Sequence, residues 1–459
     1  MLGKSRVASV IVVLAAAAVI VFAFASAAPV LLAPKSYTPV TNPIDFLAFY
    51  CVGRVGTSAD PYLAEPLRSC EAAALATSNL HIVPNLVVPG PLPPYAIAAL
   101  TPLAQLPFRA ASMLWLLVML ASAALTAVLL RRLTGLSPLL LLLPILLADA
   151  FASLVIGQFV PLVVCILCAA ALALRSGRAA LASVLAAGTL FEPHVGLPLC
   201  LALFLWQPAT RRTLALCAAF LVLLSLAYGG VAENLEYVAR VVPAQARAEG
   251  LSFNGQYSLS ALLAQFGVAE NLALELGALS YLLTAGLGVA LAGRLARALG
   301  DVSLVAFTPP AFALIGGAYV HIHQMAFALP LAFTLFAKRT PWRPLLAVAL
   351  FCLAIPWQSL AEMPLFNSLL PPHPHVDVQA TLRPLNDGSR LAEDEWGAWQ
   401  RLAVRDRRTP AQRLATKLPT WLGLLVLAGA ALALARSGDR YASSRAEPAR
   451  RDLRSMTRA

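Results

Sequence analysis

The chain has 459 residues, of which 59% are hydrophobic and 12% charged, and its mean hydropathy is +0.76. That is about half the charge of an ordinary soluble domain. The formal net charge is +12, but Lys and Arg occur as short clusters between apolar runs and in the tail. Such placement reads as membrane topology and excludes a nucleic-acid groove. The composition predicts an all-α polytopic membrane protein whose partners include membrane lipids and no nucleic acid.

Lys4 and Arg6 precede an apolar run from Val7 to about Ala28, long enough to span a bilayer. Ala25-Ser26-Ala27 resembles a signal-peptidase site, which makes a cleaved signal the alternative. The run exceeds the 7–15 residues usual for a signal core. The reading is therefore a retained first helix with its N-terminus in the cytoplasm.

Residues 34–90 are mixed polar and apolar with several prolines, and read as a first external loop carrying short interfacial helices. This loop holds Asn42-Pro43-Ile44-Asp45-Phe46, then Tyr50, Gly53-Arg54 and Asp60-Pro61-Tyr62. Asp45 is expected a few residues beyond the bilayer surface. Partial desolvation there raises a carboxyl pKa and makes it a better base at neutral pH. The plain alternative is a loop carboxylate that merely solvates. Cys51 and Cys70 share the loop on what is argued below to be the oxidising side, and a disulfide between them stays open.

Pro91-Leu92-Pro93-Pro94-Tyr95 leads into an apolar piece broken at Pro102 and stopped at Pro107, too interrupted for a full span. Residues 110–130 form a clear span ending in Arg131-Arg132. Further apolar segments lie near 137–150, 159–174, 179–192, 194–207, 213–229, 272–293, 302–320, 321–337, 345–360 and 419–435. With the first helix and the 110–130 span they give about twelve, several shorter than the ~20 residues of a perpendicular span. Arg131-Arg132, Arg175 with Arg178, Arg211-Arg212, Arg294 with Arg297, Lys338-Arg339 with Arg343, and the tail after Arg436 fall at alternate ends of these segments. All of them can be cytoplasmic together, with both termini on the cytoplasmic side of the plasma (inner) membrane and the active site on its external, periplasmic side. The expected organisation is a transmembrane core over 1–360, an external loop over 361–418, a last span at 419–436 and a basic, disordered tail at 437–459 lying on anionic lipid.

The other ends strand polar residues: Asp45, Asp149, Gly157-Gln158, Glu192-Pro193-His194, the Glu233–Gly255 loop, and His321 with His323. Accidental polar residues should divide between the two faces, so their clustering predicts one external cavity. Cys165 and Cys168 have CxxC spacing inside an apolar helix without nearby His or further Cys, and read as core side chains. His373 and His375 have no accompanying Cys or carboxylate at ligand spacing, and read as an exposed Pro/His-rich turn.

In this order the motifs resemble glycosyltransferase family 87, which includes polyprenyl-phosphate-mannose-dependent mannosyltransferases of the GT-C superfamily. The resemblance covers roughly residues 5–360. It rests on the Asp45-Phe46 stretch with Tyr50, Gly53-Arg54 and Asp60-Pro61-Tyr62, on Pro93-Pro94 followed by Pro102 and Leu106-Pro107-Phe108, on Gly157-Gln158, and on the late histidines His321 and His323. One departure stands out. Where many members have Lys-Pro at the external end of a span, this chain has Glu192-Pro193-His194. Glutamate would repel the phosphate a lysine attracts, so donor binding is arranged differently here, with His194 a substitute.

The resemblance implies a GT-C-type bundle that transfers a sugar, mannose first, from a polyprenyl-phosphate donor to a lipid or glycan acceptor of the cell envelope. Such chemistry needs a base for the acceptor hydroxyl, hydrogen-bond donors for the departing phosphate and an apolar groove for the polyprenyl tail. Asp45 would be the base. Arg54, His194, His321 and His323 would serve the phosphate, and Asp149, Gln158, Tyr50 and Asp60 the sugar or acceptor. Polyprenyl phosphate leaves as a stable anion, so neither metal nor cofactor is expected. The competing readings are a lipid or glycan flippase and a non-enzymatic envelope-assembly protein. A flippase needs polar groups on both faces and at the midplane, and these spans carry few.

Overall fold

The computed structural model describes residues 43–78, 80, 86–149, 153–252, 255–338, 340–358, 390–403 and 410–456, with side chains described for most of these as far as Arg436. The expected first membrane helix and the pair His373 and His375 lie outside the described residues. In hydrocarbon the backbone must satisfy its own hydrogen bonds. Accordingly the described residues form helices, with two isolated bridges, Leu63 to Leu391 and Gln256 to His321, as the extended pairings among them.

The first loop folds as two helices, α1 (Ile44–Val55) and α2 (Ala64–Ala76), stapled by a Cys51–Cys70 disulfide. A loop of this length gains about 3 kcal/mol from such a cross-link. α3 (Pro94–Ala104) continues through Pro102, where the sequence predicts a break, and stays short. α4 (Phe108–Thr134), α5 (Pro138–Asp149), α6 (Val160–Arg175), α7 (Ala179–Gly188), α8 (Pro193–Trp206) and α9 (Arg211–Glu236) follow. α9 kinks at Gly230, whose φ of +62° favours glycine. Asn234 closes the kink by donating to the carbonyls of Ser225 and Gly230, while Ser225 donates to Asn234 Oδ1.

The chain then runs through α10 (Val242–Glu249), α11 (Leu259–Gln265), α12 (Glu270–Leu299) and α13 (Leu304–Ala313). The expected span at 302–320 stops after Ala313, because the Gly316-Gly317 stretch up to His321 leaves the helix. A 3₁₀ turn, Ile322–Ala328, leads into α14 (Leu329–Ala337), followed by α15 (Arg343–Ala354), α16 (Ala392–Ala403) and α17 (Pro410–Met456). The tail expected to be disordered continues as helix in α17.

Four segments among the described residues are long and apolar enough to cross a membrane: Phe108–Thr134, Pro208–Glu249, Glu270–Leu299 and Arg413–Arg436. Eight apolar helices are shorter, so twelve full spans are not reached by length. The molecule is a helical membrane protein in which Arg131, Arg175, Arg297 and Lys338 lie at one end of the helices, while Arg68, Arg240 and Arg247 lie toward the other. At the first of these ends Arg297 lies over Trp206 at 5.3 Å, Arg175 Nη1 donates to Leu133 O, and Lys338 pairs with Asp301 at 2.6 Å. α4, α6, α8 and α12 each run from the opposite end to this one.

Candidate active site

At the opposite end the helices surround a cavity of about 1110 Å³. α1 brings Asp45 and Phe49 to it, one turn apart on one face. Asp45 Oδ2 accepts a 2.6 Å hydrogen bond from Gln158 Nε2. Local backbone geometry makes that contact. Gly157 has φ +84°, and a Cβ there would come within 2.6 Å of Phe46 Cβ, so only glycine lets this loop lie against α1 and deliver Gln158. Trp115 Nε1 fixes the same loop by donating to Gly157 O at 2.8 Å. Burial pushes the Asp45 carboxyl up to about 7; the Gln158 hydrogen bond and His321 oppose the shift, and Glu249 adds to it. A carboxyl at that value exchanges a proton near neutral pH.

The three histidines meet across the same cavity. His321 stands in extended backbone just before the 3₁₀ turn, with ψ 158°, so it and His323 do not follow helical spacing. Their rings stack at 5.0 Å, and both line the cavity, where a continuous helix would have turned one away. His321 Nε2 lies 2.6 Å from Glu249 Oε2, and Trp396 Nε1 donates to Glu249 Oε1 at 2.7 Å. His194 Nδ1 lies 3.3 Å from Glu192 Oε2, to which Gln324 Nε2 also donates at 3.4 Å. His194 Nε2 is buried without a hydrogen-bond partner. Burial raises the Glu192 carboxyl to about 8, with the Gln324 contact opposing. Glu192 thus turns to the imidazole two residues on.

From this polar end an apolar limb runs between α8 and α9, past Leu197, Leu221, Val222 and Leu226, to Ala278 of α12. α9 stands off the bundle: only 11% of the apolar stretch in Pro208–Glu249 is buried, against 50% in Phe108–Thr134. The limb therefore borders surface that faces lipid. No Lys or Arg lines the cavity among the described residues.

Three residues grouped with Asp45 by the sequence are not brought to the cavity. Tyr50 donates to Leu106 O, and the exposed Arg54 donates to Ala104 O and Gln105 Oε1. At about 100° per residue, positions 50 and 54 lie about 140° and 180° around α1 from Asp45. Asp60 accepts from Tyr62 N at 2.9 Å, closing a turn after α1. Asp149 ends α5, and its side chain lies outside the described residues. Conversely, nothing in the sequence singles out Glu249 or Trp396 individually: the contact of Glu249 with His321 spans 72 residues and its contact with Trp396 spans 147.

A helical membrane bundle with a polar cavity, a neutral-range carboxyl, clustered imidazoles and an apolar limb is the frame of an enzyme acting at a lipid boundary. Residues 92–316 match the model of glycosyltransferase family 87, and the chain belongs to that family. It is a membrane glycosyltransferase. No curated protein and no solved structure matches the chain. The matched range includes Gln158, Glu192, His194 and Glu249, and ends before His321.

Proposed function

We propose that this glycosyltransferase takes a sugar, mannose first, from a polyprenyl-phosphate donor and passes it to a lipid or glycan acceptor at the external face of the plasma membrane, in a GT-C-type bundle. The carrying observation is a single cavity that joins Asp45, three imidazoles and an apolar limb without Lys or Arg among its described lining. A phosphodiester bears one charge and a long apolar tail. Imidazole donors suit that charge, and the limb along α8 and α9 suits the tail. A diphosphate would bring more charge to a site that also holds the carboxyl groups of Asp45 and Glu249.

In the reaction the acceptor hydroxyl gives its proton to the Asp45 carboxylate as its oxygen bonds to the anomeric carbon. The anomeric carbon–oxygen bond breaks, and polyprenyl phosphate leaves with the electron pair. Hydrogen bonds from the histidines stabilise the charge on that oxygen. One displacement inverts the anomeric centre. Gln158 orients Asp45 from the far side.

The test is transfer by purified protein with a panel of polyprenyl-phosphate sugars, following release of polyprenyl phosphate. Release with at least one sugar is expected, and none with any sugar contradicts the reading. For orientation, a cysteine at the exposed Arg247 should react with an impermeant thiol reagent in intact cells and one at the exposed Arg294 should not. The reverse labelling overturns the external assignment.

A further inference from the structure

We propose that Gln400 is an acceptor-binding residue: α16 sets its side-chain amide into the cavity wall near Asp45, where it holds an acceptor hydroxyl that neighbours the reacting one. The inference rests on the glycosyl-transfer reading above, with Asp45 as base. It commits the acceptor to an uncharged head with several hydroxyls, such as a glycoside.

α16 is tied into the site from both sides. Arg68 of α2 donates to both carboxylate oxygens of Glu395, at 2.8 and 2.9 Å, and both side chains are largely buried. Beside that pair Ala64 N donates to Arg390 O and Ala392 N to Tyr62 O. The Cys51–Cys70 disulfide joins α2 in turn to α1, the helix of Asp45. On its other side α16 crosses α10 at Gly397, where a Cβ would come within 2.9 Å of Ala248 Cα. Trp396 Nε1 locks the crossing by donating to Glu249 Oε1. Trp396 also packs in one cluster with Ile44 and Ala48, which flank Asp45 on α1. α16 is therefore a fixed wall beside the base.

Gln400 follows Trp396 by one helical turn, and both line the cavity. It is half-buried, and among the described residues its amide has no hydrogen-bond partner. Gln158 and Gln324 line the same cavity but are committed to Asp45 and to Glu192. Gln400 thus keeps its NH₂ and its carbonyl for a ligand. Position separates it from the donor: the apolar limb runs between α8 and α9, whereas α16 packs on α10 and α2. A primary amide donates and accepts at once, as a hydroxyl does, and bears no charge. An anionic head would meet the carboxyl groups of Asp45 and Glu249 instead.

The test measures transfer from polyprenyl-phosphate mannose to methyl glycosides by full-length protein in detergent, with thermal-shift binding of polyprenyl phosphate as the donor readout. Gln400→Leu keeps the volume and removes both polar groups. It is expected to raise the acceptor KM by about 3- to 10-fold, the loss of one hydrogen bond. Donor KM and polyprenyl-phosphate binding should stay within about twofold of wild type. Deoxy glycosides supply a readout that a structural role would not move. Removal of one particular hydroxyl should raise the acceptor KM of the wild type and make no further difference in Gln400→Leu. An unchanged acceptor KM in Gln400→Leu, a donor KM that rises with it, or the same deoxy penalties in both proteins overturns the inference. If Gln400→Leu does not fold, Gln400→Ala decides by the same criteria. Wild-type protein that releases no polyprenyl phosphate with any donor sugar removes the transfer reading, and this inference with it. Wild-type protein that releases it but accepts no methyl glycoside, or shares its acceptor KM with Gln400→Leu, removes the inference alone.

Discussion

The two faces of α1 carry the same kinds of residue to different ends. Asp45 and Phe49 face the cavity; Tyr50 and Arg54 face α3 and the solvent, held by Leu106 O, Ala104 O and Gln105. All four belong to one short motif in the sequence. The lesson is that a motif written along a helix is divided by its period: the residues that travel with a reactive group are those three or four positions away. Arg54, nine positions on, packs instead of reacting.

Substitutions on the two faces should separate by orders of magnitude. Asp45→Asn keeps the size and the hydrogen bond to Gln158 while removing basicity, and loss of one general base costs about 10²–10⁴-fold in rate. Turnover near wild type in folded Asp45→Asn protein would erase the distinction between the faces. Next come the cavity histidines. Because the His321 and His323 rings stack and both line the cavity, Ala at either position should weaken donor use, by about 10- to 100-fold in KM for the loss of a charge-assisted hydrogen bond. One silent and one severe variant, as helical spacing would give, would show that the rings do not share the ligand.

On the other face the effects shrink. Tyr50→Phe removes one hydrogen bond, worth about 0.5–1.5 kcal/mol of stability, and should leave KM and kcat unchanged. Arg54→Gln should stay within about twofold of wild type in every kinetic constant, since exposed surface changes are usually worth less than ~0.5 kcal/mol. A donor KM raised tenfold by Arg54→Gln would return that guanidinium to the phosphate.

The same division explains what the sequence made legible. Polar residues isolated at the ends of apolar runs are conspicuous, so Asp45, Gln158, His194, His321 and His323 stand out in the sequence, and the structure gathers them in one cavity. Gly157-Gln158 was legible as a pair, and the positive φ against Phe46 supplies its reason. Glu192 stands in the sequence as a mismatch, and the structure sets it beside the His194 imidazole. Glu249 and Trp396 sit in polar stretches where neither is conspicuous, and their roles exist only through contacts across the fold. Helix ends were read to within a few residues where the chain is plainly apolar, as at α6 and α8. They differ where the stretch holding Gly316-Gly317 leaves the helix and α13 stops early, and where α3 continues through Pro102.

The central claim is that Asp45 works as a base tuned by burial, and the pH dependence of kcat/KM tests it most directly. Under that claim the carboxylate is the active form, and burial raises its pKa to about 7. The rate should therefore rise with pH through that value, falling about tenfold per pH unit below it, and level off above. In Asp45→Asn this limb should vanish from the residual rate. A wild-type profile that is flat from pH 5 to about 8, or a limb that persists unchanged in Asp45→Asn and so belongs to another group such as Glu192, would contradict the account.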